Sequence, residues 1–109
     1  MQLKNPDTWE IDDGWKPMVK ALVDLSTTYC HNQQLPFTLE QVKEKFGTLR
    51  FYYSGGDEYV HQLVDLVEAS SGRVCEVCGK KATLRKDLGW LKTLCDEHYE
   101  QRKARKYGA

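Results

Sequence analysis

The sequence predicts an α+β fold: a small antiparallel sheet with two longer helices and one short helix, followed by a C-terminal module built on a metal site. Three observations carry that reading. Residues 14–31 and 57–70 place apolar side chains at helical spacing. Thr48 to Tyr53 alternates like a half-buried strand. Cys75-Glu76-Val77-Cys78 and Cys95-Asp96-Glu97-His98 form C-x2-C, sixteen residues, then C-x2-H.

Along the chain, residues 1–13 are polar, with Trp9 and Ile11 as anchors. Asp12 and Asp13 suit the start of a helix, where carboxylates can accept from free backbone N–H groups, and Pro17 is tolerated in a first turn. Trp15, Met18, Val19, Leu22, Ser26 and Tyr29 then share one helical face over 14–31. Cys30 reads as a small buried apolar side chain, and His31 as a helix-end residue. Thr38 with Gln41 fits a capping box, and Leu39, Val42 and Phe46 fit the face of a short helix ended by Gly47. The strand Thr48–Tyr53 points Leu49, Phe51 and Tyr53 one way, Arg50 and Tyr52 the other. From Asp57 to Ser70, Val60, Leu63, Val64 and Val67 make a stripe, while Glu58, His61 and Asp65 form a wet face with a surface ion network. Residues 82–85 and 90–94 read as a hairpin turning at 86–89, which could extend the sheet of Thr48–Tyr53. Asp96 to Lys106 reads as a final helix, acidic at its start and basic at its end.

Cysteine and histidine in this spacing point to zinc. Zn2+ favours four borderline or soft ligands in a tetrahedron, and Cys3His is a common structural set. Cys75 and Cys78 can grip one ion from a tight knuckle opened by Gly79, and Cys95 and His98 are three apart on a helical turn. Knuckle, hairpin and helix in that order resemble a treble-clef module. A redox C-x-x-C would leave Cys95 and His98 idle, and a disulfide framework would want a secreted chain. Four protein ligands leave no open position, so one structural zinc is expected at Cys75, Cys78, Cys95 and His98. Three thiolates and an imidazole on Zn2+ sum to −1, a charge that Arg73, Lys80 and Lys81 flank.

The 109 residues suit one domain, and a structural metal compensates for a small core. The N-terminal residues read as neither signal nor transit sequence, and no apolar run is long enough to span a membrane. Cysteines kept for metal imply a reducing compartment, so a cytoplasmic protein is expected. Formal charge is zero overall but divided: −5 over residues 1–72 and +5 over 73–109. The expected organisation is an acidic α+β body, 1–72, and a basic zinc module, 73–109, folding as one cooperative domain.

The order Gly14-Trp15, then Val42-Lys43-Glu44-Lys45-Phe46-Gly47-Thr48-Leu49-Arg50-Phe51-Tyr52, then Glu68-Ala69-Ser70, then Cys75-Glu76-Val77-Cys78-Gly79, then Gly89-Trp90-Leu91-Lys92-Thr93-Leu94-Cys95-Asp96-Glu97-His98 resembles a family of small phage, prophage and bacterial proteins. The resemblance spans most of residues 14–98 and brings no activity with it. A phage setting implies control of a host enzyme, blockade of a defence system, or nucleic-acid binding.

Three functions follow as expectations. The first is a non-enzymatic interaction protein, an inhibitor or adaptor whose partner is a host or phage protein. Its contact patch would be Lys43, Lys45, Arg50 and Tyr52, since Arg and Tyr are frequent anchors; the plainer alternative pairs Arg50 with Glu44 or a helix acid and lays Tyr52 over the core. The second is nucleic-acid binding by the basic end, with Arg102, Lys103, Arg105 and Lys106 on one helix and Lys80, Lys81, Arg85, Lys86 and Lys92 near in sequence. Its alternative is a solvated basic tail, favoured by zero net charge. The third, an HNH-like nuclease, is disfavoured: residues 79–94 hold no histidine to activate water. No membrane partner is expected.

Overall fold

In the computed structural model, which describes residues 4–106, the α+β class is built from three helices and two separate antiparallel hairpins. The order is α1 (Lys16–Asn32), β1 (Phe37–Lys45), β2 (Thr48–Gly55), α2 (Glu58–Ser71), β3 (Thr83–Arg85), β4 (Lys92–Leu94) and α3 (Asp96–Lys106). Two single turns of 3-10 helix, Pro6–Thr8 and Asp13–Trp15, precede α1. Among the described residues, no helix is long and apolar enough to cross a membrane.

Helix α1 buries Val19, Leu22, Val23, Ser26 and Cys30, so the expected stripe and the buried thiol both hold. Pro17 sits in the first turn, but Asp12 and Asp13 do not cap the helix; Asp13 instead pairs with Lys16 at 3.0 Å. Helix α2 is capped by Asp57, whose Oδ1 accepts from Tyr59 N at 3.1 Å and Val60 N at 3.4 Å. Its His61 does not join an ion network: Nδ1 lies 2.5 Å from the Tyr53 hydroxyl on β2.

The segment 37–45 is strand, not part of a short helix, and Phe46 lies in the turn that follows. It pairs with β2 in a register that slips between Leu39 and Gln41, leaving Glu40 as the extra residue of a β-bulge. The bulge puts Leu39 opposite Tyr53 and Val42 opposite Phe51, so two residues three apart share the core face. That spacing is what mimics a helix. Phe46 and Gly47 are the two-residue turn joining β1 to β2, with φ of +56° and +84°, the left-handed pair that a tight hairpin requires.

Both edges of this hairpin are occupied. On the outer edge of β2, Leu49 N donates to Ser71 Oγ at 2.9 Å and Phe51 N to Glu68 Oε2 at 2.8 Å, so α2 side chains replace a third strand. On the outer edge of β1, Glu10 N donates to Val42 O at 2.9 Å and Glu44 N to Glu10 O at 3.2 Å. One core fills the space between α1, α2 and the hairpin, and it includes Trp9, Trp15, Leu22, Leu49, Phe51 and Val60, with Ile11 packed against it. A second, smaller cluster of Cys75, Ala82, Leu88, Leu94 and Cys95 lies in the C-terminal part.

The short β3–β4 hairpin does not extend the first sheet. The two parts are instead clamped at two points. At the first, Gly14 N donates to Glu76 O at 2.8 Å, and Trp15 Nε1 to Val74 O at 2.7 Å. At the second, Thr93 Oγ1 donates to Gly47 O at 2.6 Å, both residues being buried. A Cβ on Gly47 would stand 2.5 Å from Leu84 Cδ1, so the hairpin tip is pressed into the C-terminal part.

Candidate metal centre and surface sites

The knuckle opens after an isolated bridge between Val74 and Lys81. Cys75 N donates to Lys80 O and Gly79 N to Cys75 O, each at 2.8 Å, which folds the C-x-x-C segment into a turn. The second pair comes from the start of α3, where Cys95 precedes the helix and His98 follows one turn in. His98 N approaches Cys95 Sγ at 3.5 Å, so the sulfur also takes up a free N–H of the helix start.

The ligand atoms of Cys75, Cys78, Cys95 and His98 all lie within 4.8 Å of one another, and the cluster can hold a metal ion. Cys78 and Cys95 sulfurs are 3.7 Å apart; His98 Nδ1 lies 3.2 Å from Cys95 Sγ and 3.7 Å from Cys75 Sγ. A tetrahedral Zn2+ with ordinary bond lengths has S···S edges of about 3.8 Å and S···N edges of about 3.6 Å. The 3.7 Å separations stand near those edge lengths, and the 3.2 Å approach of His98 Nδ1 to Cys95 Sγ is shorter. Burial pushes the Cys75 thiol up, but N–H groups of Cys95, Cys78 and Val77 outweigh it and bring the thiol down to about 7. Cys78 is helped by Lys80 N–H, yet its own burial and the sulfurs of Cys75 and Cys95 leave its thiol raised. A cation among these sulfurs would replace the shared protons.

Between the two knuckle cysteines lies Glu76, which the sequence presents only as a spacer. It is 1% exposed. Its Oε1 accepts from Lys92 Nζ at 2.5 Å and its Oε2 from Thr93 N at 3.4 Å. Its backbone N donates to Thr93 O at 3.1 Å, and its O receives Gly14 N. Burial raises the Glu76 carboxyl while Lys92 pulls it down. One residue thus ties the knuckle to β4 and to the turn before α1. Nothing in the local sequence signals this, because Lys92 lies sixteen positions away.

Of the residues read as a contact patch, Lys43 and Arg50 are cross-strand partners, while Lys45 pairs with Thr48 and Tyr52 with Gln41. The pleat places all four on the hairpin face away from the core. Arg50 does not pair with Glu44, which points the other way and accepts from Gly47 N at 2.7 Å. Among the described residues neither Lys43 nor Arg50 has a carboxylate within ion-pair distance, and Arg50 Nε is buried without a hydrogen-bond partner. Tyr52 is exposed and borders an open groove of about 550 Å3 that also includes Trp9, Glu10 and Gln41.

The basic residues of α3 divide. Arg102, Arg105 and Lys106 line an open cleft of about 430 Å3 with Trp90. Lys103 turns instead toward Tyr99, its Nζ 5.4 Å from the ring centroid. Arg85 is held by Asp96 at 2.7 Å and by Leu94 O, and Lys92 by Glu76, so neither adds a free charge to this end. Strand β4 begins at Lys92 rather than at Trp90, and the indole stands in the preceding loop, exposed.

Compared with known proteins, the chain matches no family model, no curated protein and no solved structure.

Proposed function

We propose that this is a small zinc-stabilised, non-enzymatic interaction protein of phage or prophage type. It acts as an inhibitor or adaptor of a host enzyme or defence system by docking the outer face of the β1–β2 hairpin on an acidic protein surface. The observation that carries this is the Lys43–Arg50 pair. Like charges directly opposite on a sheet are destabilising, and a buried N–H without an acceptor is costly. Carboxylates of a partner would relieve both, and Arg with an exposed Tyr beside a groove is the usual make-up of an interface anchor.

Zinc is supported by the soft Cys3His donor set and by donor separations, 3.7 Å between Cys78 and Cys95 sulfurs, near the edges of its tetrahedron. The ligands come from the knuckle and from the start of α3, with the β3–β4 hairpin between them, in treble-clef order. With four protein ligands the ion has no open position, which makes it a structural support rather than a catalyst. His61 is engaged with Tyr53 and His31 ends α1, so the nuclease reading gains no second histidine at the metal centre.

The test is an affinity capture from nuclease-treated bacterial lysate with wild type and with the Lys43→Glu/Arg50→Glu variant. A discrete protein retained by wild type and lost by a folded, metal-loaded variant is the expected result. Identical capture by both would show that the hairpin face is not the contact surface.

A further inference from the structure

We propose that the cleft formed by Trp90, Arg102, Arg105 and Lys106 is a second binding site, independent of the hairpin face, and that it takes single-stranded nucleic acid. One base would stack on the indole while Arg102 and Arg105 hold neighbouring phosphates.

Two independent features converge there. The first is the indole. Of three tryptophans, Trp9 and Trp15 are 6% and 0% exposed, and each is part of the core. Trp90 is 45% exposed, on a loop. The second is charge. Arg102, Arg105 and Lys106 are spaced i, i+3 and i+4 on α3, so they crowd one helix face, where like charges repel. Among the described residues neither Arg102 nor Arg105 has a carboxylate within ion-pair distance. The helix dipole favours cations in a last turn, but it gives no reason for an exposed indole among them. Lys106 Nζ lies 5.4 Å from the centroid of the Trp90 ring. A Cβ on Gly89 would be 2.9 Å from the same nitrogen.

A flat aromatic platform flanked by cations is the requirement for single strands, whose bases are free to stack. A duplex hides its base faces and would gain from the cations alone. An acidic peptide would satisfy the cations but has no flat ring for the indole. The site has no inward array of donors and acceptors to read base edges, so binding should show little sequence preference.

The experiment is fluorescence anisotropy of a labelled 12-nucleotide single strand titrated with the zinc-loaded protein across a salt series. Unlabelled strand is titrated in parallel while tryptophan emission is followed. Wild type should bind, with log K against log salt of slope about −1.4, the value for two phosphates on a single strand. Emission should be quenched, and that signal must come from Trp90 because the other two indoles are buried. Trp90→Ala should weaken binding about 5- to 150-fold without changing the slope. Arg102→Ala/Arg105→Ala should flatten the slope nearly to zero. Far-ultraviolet circular dichroism and metal content confirm that each variant is folded, and Lys43→Glu/Arg50→Glu should bind the strand like wild type. Equal affinity of Trp90→Ala and wild type would overturn the proposal, as would equal affinity for a duplex. Binding of poly-glutamate with none of the oligonucleotide would overturn it in favour of an acidic protein ligand.

Discussion

A single methyl group at position 14 should disturb the candidate metal centre, whose first ligand, Cys75, is 61 positions along the chain. A Cβ on Gly14 would stand 2.1 Å from Cys75 O, 2.6 Å from Glu76 C and 2.7 Å from Glu76 O. All three are backbone atoms of the knuckle, so no side chain can rotate out of the way. Either the turn before α1 or the knuckle must shift by roughly 1 Å, a case of overpacking costing about 1–3 kcal/mol. The shift also breaks the bond from Gly14 N to Glu76 O, a further loss of about 1 kcal/mol. Gly14→Ala should therefore cost about 3 kcal/mol in urea unfolding and hasten loss of the bound metal to a competing chelator. Gly72→Ala is the internal control. Its nearest contacts would be Ala69 O at 3.9 Å and Thr48 Cγ2 at 4.0 Å, and its φ of −71° suits any residue. That variant should be neutral or gain about 0.5 kcal/mol through the unfolded chain. If Gly14→Ala matches wild type within about 0.5 kcal/mol, or if both substitutions harm alike, the clamp between the two parts is not as described.

Other expectations follow from single contacts. Glu76→Ala leaves Lys92, 19% exposed, without its partner and should cost about 3 kcal/mol; Glu76→Leu/Lys92→Met should recover most of it in a double-mutant cycle. Phe46 is 62% exposed and held at φ +56°, so Phe46→Asn should raise stability by about 1 kcal/mol in urea unfolding. The Asp57 carboxyl is held below its usual range, first by the Tyr29 hydroxyl and then by N–H groups of Val60 and Tyr59. A depressed folded value means its stabilisation is complete above the ordinary carboxylate range and is lost as pH falls through the folded value. Asp57→Asn keeps the cap but should flatten that acid limb in thermal melts between pH 2 and 6, a range on the order of the carboxylate titrations.

The metal cluster was legible because three cysteines and a histidine at fixed spacing leave few other readings, and the amphipathic faces of α1 and α2 because their apolar period is helical. The strand β1 was not, for a physical reason. The bulge at Glu40 sets Leu39 and Val42 three apart on one face, and Thr38 with Gln41 happens to match a capping box. Gly47, suited to a helix end, serves a hairpin turn instead. Gly14-Trp15 stood out as a sequence pair, but its purpose is contact with backbone at positions 74–76, which no local pattern encodes. Glu76 and Trp90 were missed on the same ground: a buried ion pair and an exposed indole are defined by what the fold brings near, or fails to cover.

Cobalt substitution tests the metal centre, on which the account rests, most directly. Titration of Co2+ into the metal-free protein should saturate at one equivalent, with intense ligand-field bands of tetrahedral cobalt and charge-transfer absorption from three thiolates. Cys75→Ser, Cys78→Ser or Cys95→Ser should each reduce the charge-transfer intensity, and His98→Ala should alter the ligand field without removing a thiolate. Weak octahedral bands, or a spectrum unchanged by Cys95→Ser and His98→Ala, would show that these four residues do not close around one ion.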